Sequence, residues 1–425
     1  VDGLERALVQ NDRELDGFST QNAIGPLFVA LADKCLNASS GVLAMVNPTV
    51  SLTTPSGQRE RQVLAKRFHI HTLVTSHQPG EINLSQNTSI NESLIIARRS
   101  GRREGTRLPT RIISLDRMPT DDGEVAELHE RLVRCERGLL SDGWGEVSEW
   151  PVERIEAGDW TAGVFRAPEL AEAAFDLATH KSLFRMEDQN MVPSAVLLGG
   201  GRGYERRVDT NAPGIFPVLY SKSAEAQLAI RGLPDQHWAP KKSVPRRQWV
   251  DVPGADGRQH PDTARLMNHA SHLLVTSGQD TGTGRLTAVA QEERCVGLGW
   301  LPVPGVTLEQ AKAAAVFLNA TAGRVELLRN PGRKLAFPQY NPAGLKVIRL
   351  PDLADRGMVD GLARCWEATA EMEVPQYRDG ECDVRRIWDD AVADVLGWDK
   401  DWLAGLRHLL HREPHVRGLG YNQFG

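Results

Sequence analysis

Cysteine is scarce in this chain. There are five in 425 residues, at Cys35, Cys135, Cys295, Cys365 and Cys382, with no Cys-x-x-Cys pair among them. An odd, scattered set excludes a disulfide framework and a zinc ribbon. No apolar run approaches the roughly eighteen residues that a membrane span requires, and no signal peptide is recognisable, so the cytoplasm is the expected compartment and a membrane is not an expected partner. Internal repeats and low-complexity tracts are missing, which excludes solenoids and compositional linkers. No two prolines are adjacent anywhere, so any motif built on a Pro-Pro pair is excluded. What remains is ordinary: 41% hydrophobic and 25% charged residues give enough material for real cores, and the length suggests about two to four domains.

The densest structural signal runs from Gln21 to Arg99. Ile24, Leu27, Phe28, Leu31, Ala32 and Leu36 follow the spacing of one helix face, with Pro26 in the tolerated first turn and Asn37 to Gly41 as turn chemistry. Val42 to Val46 is a short apolar run bounded by Gly41 and Pro48, the pattern of a central strand buried on both faces. Arg59 to Phe68 is a basic amphipathic helix with Val63, Leu64 and Phe68 inward; Ile70, Thr72 and Val74 then alternate with His71 and Leu73; Pro79 to Asn91 is a polar loop, and Leu94 to Ala97 a last strand. Helix, strand, helix, strand, loop, strand is the closing part of a mostly parallel sheet covered by helices, an α/β fold.

Beyond Arg99 the pattern changes. Gly101 to Pro109 reads as a basic loop, Thr110 to Asp116 as a further strand, and Gly123 to Leu139 as a helix with Val125, Leu128, Leu132 and Val133 inward. Trp150 to Ala174 reads as a connector. Short β-prone runs at Val192 to Leu198, Ile215 to Tyr220, His272 to Thr276 and Leu286 to Ala290, punctuated by Gly and Pro, predict a mixed β-rich domain. Asp352 to Arg417 reads as helical. The expected organisation is an α/β domain over 1–116, a helical connector over 117–174, a basic β-rich domain over 175–350 and a helical region over 351–425.

The net charge of −5 hides a partition. Residues 181–349 carry 22 Lys+Arg against 14 Asp+Glu, and the remainder carries 28 against 41. A basic centre between acidic flanks suits a polyanionic partner such as duplex DNA; a basic solvated face is the plainer alternative. The densest cluster joins Lys241, Lys242, Arg246 and Arg247 between Trp238 and Trp249. These cations suit phosphates, while the indoles suit anchoring the loop in a small core. Arg324, Arg329, Arg333 and Lys334 form a second cluster around Asn330-Pro331-Gly332, after a helix expected over Leu308 to Ala322; Arg285, after Thr281-Gly282-Thr283-Gly284, is a third candidate on a hairpin tip.

Several phrases resemble class I adenine-N6 DNA methyltransferases of restriction-modification and phage-defence systems. They are GPLFVALADKCLNASSGVLAMVNP, SGQRERQVLAKRFHIHTLV and NTSINESLIIARR, similar to the helices and strands that form the fifth, sixth and seventh strands of that Rossmann-like sheet. LPDQHWAPKK, HLLVTSGQDTGTGRLTAVA and AKAAAVFLNATAGRVELLRN followed by LKVIRLPDL look like the target recognition domain, where a helix bearing a lone Asn and then small residues precedes a strand ending in Leu-Pro. The tail from Asp383 to Val416 is similar to the helical end of such proteins.

The resemblance implies methyl transfer from S-adenosylmethionine to the amino group of an adenine flipped out of duplex DNA. That chemistry uses an Asn/Asp/Ser-Pro-Pro-aromatic tetrapeptide to hold the amine and stack on the base. Asn47-Pro48-Thr49-Val50 lacks both the second proline and the ring, so it reads as a strand-terminating turn. A cofactor site needs a glycine-rich turn after the first strand and an acid after the second. Gly199-Gly200-Gly201-Arg202-Gly203 leads instead into charged Glu205-Arg206-Arg207 and reads as a turn. The expectation is therefore a recognition segment that begins downstream of the catalytic tetrapeptide, with no catalytic and no cofactor-binding residue of its own, inactive alone and completed by a catalytic half or accompanied by a nuclease subunit. A non-catalytic specificity subunit is the alternative, and a scaffold with no nucleic-acid role a third. His69 and His71, and His408, His411 and His415, read as partly exposed strand and helix residues without a metal. Asp389, Asp390 and Asp394 read as a solvated helix face.

Overall fold

The computed structural model describes residues 25–37, 40–54, 57–80, 84–85, 91–99, 108–196, 203–209, 214–220, 227–251, 257–278, 285–329, 332–334, 337–418 and 421. The chain divides into two compact units: residues 1–175 with 331–336 and 412–425, and residues 176–330 with 337–411. The fold is mixed α/β with several sheets and a helical C-terminal region.

The first unit is built on six strands, β1 (Val42–Pro48), β2 (Phe68–Ser76), β3 (Glu92–Arg99), β4 (Thr110–Leu115), β5 (Gly138–Leu140) and β6 (Gly145–Trp150), in the order β1-β3-β2-β4-β6-β5. The predicted succession of helix Gly25–Cys35, β1, helix Gln58–Arg67, β2 and β3 is present. The expected mostly parallel pairing is not. Only β2 with β4 is parallel, and β3 lies between β1 and β2, antiparallel to both. The apolar run of β1 is likewise not central: among the described residues it is the edge, with Val42 and Val46 58% and 40% exposed. An apolar run signals a strand but carries no information on how many neighbours it has.

Charge, rather than apolar spacing, sets the face of the first helix. Asp33 is buried and pairs with Arg67 and, at 3.2 Å, with Arg99, so Leu27 and Ala30 turn inward with it and Phe28 stands 57% exposed. The helix Asp122–Arg134 is shorter than predicted and is N-capped by Asp121, whose side chain accepts from the Glu124 N–H. It buries Leu128, while Val125 and Val133 are exposed. Leu128 joins Ile113, Leu115, Leu140, Trp144 and Val147 in one core. Gly145 is required there, because its φ is +138° and a Cβ would sit 1.9 Å from the Ser114 carbonyl oxygen.

The second unit contains the short antiparallel pair of β7 (Leu183–Arg185) with the strand Arg349–Pro351. Its main sheet uses β8 (Tyr204–Arg207), β9 (Phe216–Leu219), β10 (Gln236–Pro240), β13 (Ser271–Thr276), β14 (Ala288–Gly297) and β15 (Trp300–Pro302), in the order β15-β13-β14-β9-β10-β8, while β11 (Val250–Asp251) and β12 (Arg258–Gln259) form a separate ribbon. Three of the four predicted β-prone runs hold strands. The fourth does not: Val192–Val196 is irregular, and residues 197–198 lie outside the described set. The helix expected over Leu308 to Ala322 is two helices, Leu308–Asn319 and Thr321–Arg329, the first opened by a capping box of Thr307 and Gln310. Gly323 allows the break, since a Cβ there would lie 2.1 Å from the Phe317 carbonyl oxygen. Helices Arg356–Thr369, Asp383–Leu396 and Lys400–Arg412 complete the unit.

The lone Asn of the methyltransferase-like phrase has a structural task. Asn319 is fully buried; its Oδ1 accepts from the Thr287 N–H at 2.7 Å, and its Nδ2 donates to the Ala288 and Ala315 carbonyls at 2.7 and 2.8 Å. One amide thus ties the helix end to the start of β14, satisfying backbone groups that no water reaches.

Candidate functional site

The basic loop between Trp238 and Trp249 is rigidly held at its base and bare at its tip. Trp238, on β10, is buried with Phe216, Val218, Leu266, Ala270 and Val296, the anchoring that the sequence suggests for the indoles; Trp249 is half-buried and lies outside that core. Immediately after β10 the Lys241 N–H donates to the Gly203 carbonyl at 2.8 Å. The Lys242 carbonyl accepts from His260 Nε2 at 2.9 Å. His260 Nδ1 accepts the Asp262 N–H at 3.2 Å as the N-cap of the helix Pro261–Met267. Because Nδ1 accepts, the proton of a neutral ring sits on Nε2, and the Lys242 contact has a defined direction. The loop then closes through Gln248 N–H to Pro245 O and Trp249 N–H to Arg246 O, at 2.8 and 3.1 Å, with the Trp249 ring edge-on to His260.

Lys241, Lys242, Arg246 and Arg247 are all exposed. Among the described residues none of the four has a carboxylate within ion-pairing distance, while Arg207, Arg258 and Arg265 of the same unit are paired with Glu205, Asp251 and Asp262. Arg246 stands 5.7 Å from the Trp249 ring centroid. Arg206 is exposed on the edge strand β8, in register with Trp238; it belongs beside this cluster, and only the strand pairing brings it there.

The other sequence candidates are placed differently. Arg285 is largely covered, donating to the Val374 carbonyl at 3.2 Å and lying 3.5 Å from Glu373. Arg324 is a correction: it is 1% exposed, its guanidinium covers the Tyr377 ring at 4.2 Å, and it donates to the Arg285 carbonyl. Its helix turns this face into the core, and burial pushes its pKa down to about 10. Arg329 is held by the buried Glu326 at 2.9 Å. Arg333 and Lys334 lie on a strand whose side chains fall outside the described residues, as do the Thr281–Gly284 tip, most of the Pro79–Asn91 loop, residues 101–107 of the basic loop, and the glycines at 199–201.

Asn47 is occupied. It is buried, and its Nδ2 donates to Glu60 Oε1 at 2.6 Å; Thr49 binds Asn91 through both its N–H and its hydroxyl, at 2.8 and 3.1 Å. Burial raises the Glu60 pKa, against the Asn47 hydrogen bond and the charge of Arg61. This is a turn sewn to its neighbours, as the sequence suggests.

Two sequence readings of titratable groups need correction. Asp389 is 2% exposed and bonded to Thr321 and Arg407, so it belongs to no solvated face. His411 is buried against Tyr377, and His415 meets His77 across 338 positions at 3.2 Å. With Glu413 these two histidines bring three ligand-type atoms within 4.8 Å of one another. Spacing along the chain carries no signal of that meeting. Among the described residues no helix is long and apolar enough to cross a membrane.

No family model matches this chain, and no curated protein does. Its neighbours among solved structures are restriction-modification proteins. The type IIG restriction endonuclease BpuSI aligns over 97% of this chain and 51% of its own, at 12% identity and a TM-score of 0.35. A type I restriction-modification assembly aligns over 33% of this chain and 31% of its own, at 18% identity and a TM-score of 0.25. The methyltransferase subunit of a type I system from Streptococcus thermophilus aligns over 36% and 32%, at 18% identity and 0.27. The chain thus spans about half the length of the first and about a third of the others. None of these overlays is close enough to assign a fold or a function.

Proposed function

We propose that the chain is a portion of a site-specific DNA methyltransferase of the adenine-N6 class, in which this segment supplies target recognition and part of the sheet. The observation that carries the reading is the Lys241, Lys242, Arg246 and Arg247 loop: four exposed cations, without carboxylate partners among the described residues, on a backbone pinned by Gly203 and His260. Cations left unneutralised on a pinned loop suit a run of phosphates, which positions a protein on duplex DNA before any base is read. The phrases shared with adenine-N6 enzymes, and the residence of this loop in the basic, β-rich part of the chain, support the same assignment.

S-adenosylmethionine is the methyl donor of that class. The described residues offer it no cradle: Asn47 is committed to Glu60, and among the described residues of the first unit no strand leads through a glycine-rich turn into a helix. The same occupancy of Asn47 favours a second reading, a non-catalytic specificity subunit that works beside a separate catalytic chain.

The test is binding of the 425-residue chain to duplex DNA over a salt series, with S-adenosylmethionine calorimetry on the same preparation. Salt-sensitive DNA binding without cofactor binding is expected. Replacing Lys241, Lys242, Arg246 and Arg247 together by Ala is expected to weaken binding across sequences and to flatten the salt slope by about 0.9 for each phosphate that the variant leaves unneutralised. An unchanged slope removes the loop from the interface, and absence of DNA binding by the parent chain rejects the reading.

A further inference from the structure

His77, Glu413 and His415 lie in the first unit, His77 just past the end of β2 and the other two at the short helix Pro414–Arg417. His77 is 1% exposed and Glu413 fully buried. His77 Nδ1 is 3.2 Å from His415 Nε2 and 4.0 Å from Glu413 Oε1. The far side of two of the three ligands is already fixed. Thr75 Oγ1 lies 3.2 Å from His77 Nε2, and the backbone N–H of Arg166 donates to Glu413 Oε2 at 2.9 Å. The Arg166 guanidinium does not compete, because it is engaged with Asp116 and, at 2.8 Å, with Glu146.

We propose that His77, Glu413 and His415 bind one zinc-class divalent cation through His77 Nδ1, His415 Nε2 and a Glu413 carboxylate oxygen. Two imidazole nitrogens on one tetrahedral zinc, each about 2.05 Å from it, stand about 3.3 Å apart. The separation of 3.2 Å already matches. A bond from His77 Nε2–H to Thr75 leaves Nδ1 as the donor atom, and the Arg166 amide holds one carboxylate oxygen while the other faces the imidazoles. This is the outer-shell support that metal-binding His and Glu side chains require. One carboxylate and two imidazoles are also a donor set that a zinc-class dication takes. Two His and one Glu leave a fourth position for water. The ion would staple the helix Pro414–Arg417 to the end of β2.

The full chain, saturated with zinc and dialysed, is expected to retain one equivalent by elemental analysis. His77→Ala, Glu413→Gln and His415→Ala are each expected to lower affinity at least tenfold in zinc calorimetry, and Thr75→Val about tenfold by loosening the His77 ring. The exposed His71→Ala keeps the equivalent. If the ligand variants misfold, Co²⁺ titration of the unaltered chain decides: d–d bands of a low-symmetry nitrogen and oxygen site support the assignment. Absence of those bands, or equal zinc retention by folded His415→Ala, overturns it, leaving a hydrogen-bonded histidine pair.

Discussion

Asp389 accepts hydrogen bonds from both the backbone N–H and the hydroxyl of Thr321, at 2.7 and 2.8 Å, and so closes the N-terminus of the helix Thr321–Arg329 from another helix 68 positions away. The same carboxylate takes Arg407 Nη1 at 2.6 Å. Burial raises the pKa of Asp389, and these three bonds and the Arg407 charge work against that rise. Asp389→Ala strands a buried guanidinium and an uncapped helix together, so a loss of about 3–5 kcal/mol is expected in urea unfolding. A loss under about 1 kcal/mol would show that water replaces the carboxylate and that the contact holds little of the second unit together.

His411 gives the second unit an acid limit. It is buried against Tyr377, and burial first, then the nearby positive charge of Arg385, pushes its pKa from 6.5 down to about 4. Arg324 and Arg407 add to that push, while the bond to the Tyr377 backbone opposes it. The folded state therefore holds the ring neutral. Its contribution is fully present above the unfolded value of 6.5 and is lost as pH falls toward about 4, because the unfolded chain takes up the proton first. On the order of 3 kcal/mol should disappear across that window. Unfolding free energies measured at several pH values should show the loss in the parent chain and a shallower slope in His411→Gln; parallel slopes would assign the acid limit to other groups.

What could be read from the residues, and what could not, divides along physical lines. The helix Gln58–Arg67 with Val63 and Leu64 inward, the strands β2, β3 and β4, and the anchoring of Trp238 followed from periodicity and local composition. The exposed Lys241 to Arg247 cluster was legible because its cations are adjacent in sequence. Direction of strand pairing was not legible: nothing in Leu94–Ala97 says that β3 inserts between β1 and β2. Nor were the buried charges. Asp33, Arg324 and Asp389 carry polar letters that read as surface, and only their partners, 18 to 68 positions away for Asp33 and Asp389, reveal that they are inside.

Asn47 and Glu60 supply a test of the turn reading. Removing the amide with Asn47→Ala leaves the buried Glu60 carboxyl without the donor 2.6 Å away, at an expected cost of about 1–3 kcal/mol. Salt-dependent DNA binding by the folded fraction should not change. Intact stability with abolished binding would return Asn47 to the functional site.

Arg324 and the Lys241–Lys242 pair should behave oppositely. Arg324 is buried over Tyr377, with Nε and Nη1 lacking hydrogen-bond partners among the described residues. Desolvation of its charge is therefore poorly compensated, and the unbranched, uncharged Met can fill much of the same space. Arg324→Met is expected to be neutral or stabilising by up to about 2 kcal/mol, whereas Arg324→Ala leaves a cavity and costs about 2–4 kcal/mol. Neither should alter the salt slope of DNA binding. Lys241→Ala with Lys242→Ala should leave stability within about 0.5 kcal/mol and lower the slope by about 2. A slope reduced by about one in Arg324→Met would mean that this guanidinium leaves Tyr377 to meet a phosphate, and the interface would then extend to the helix Thr321–Arg329.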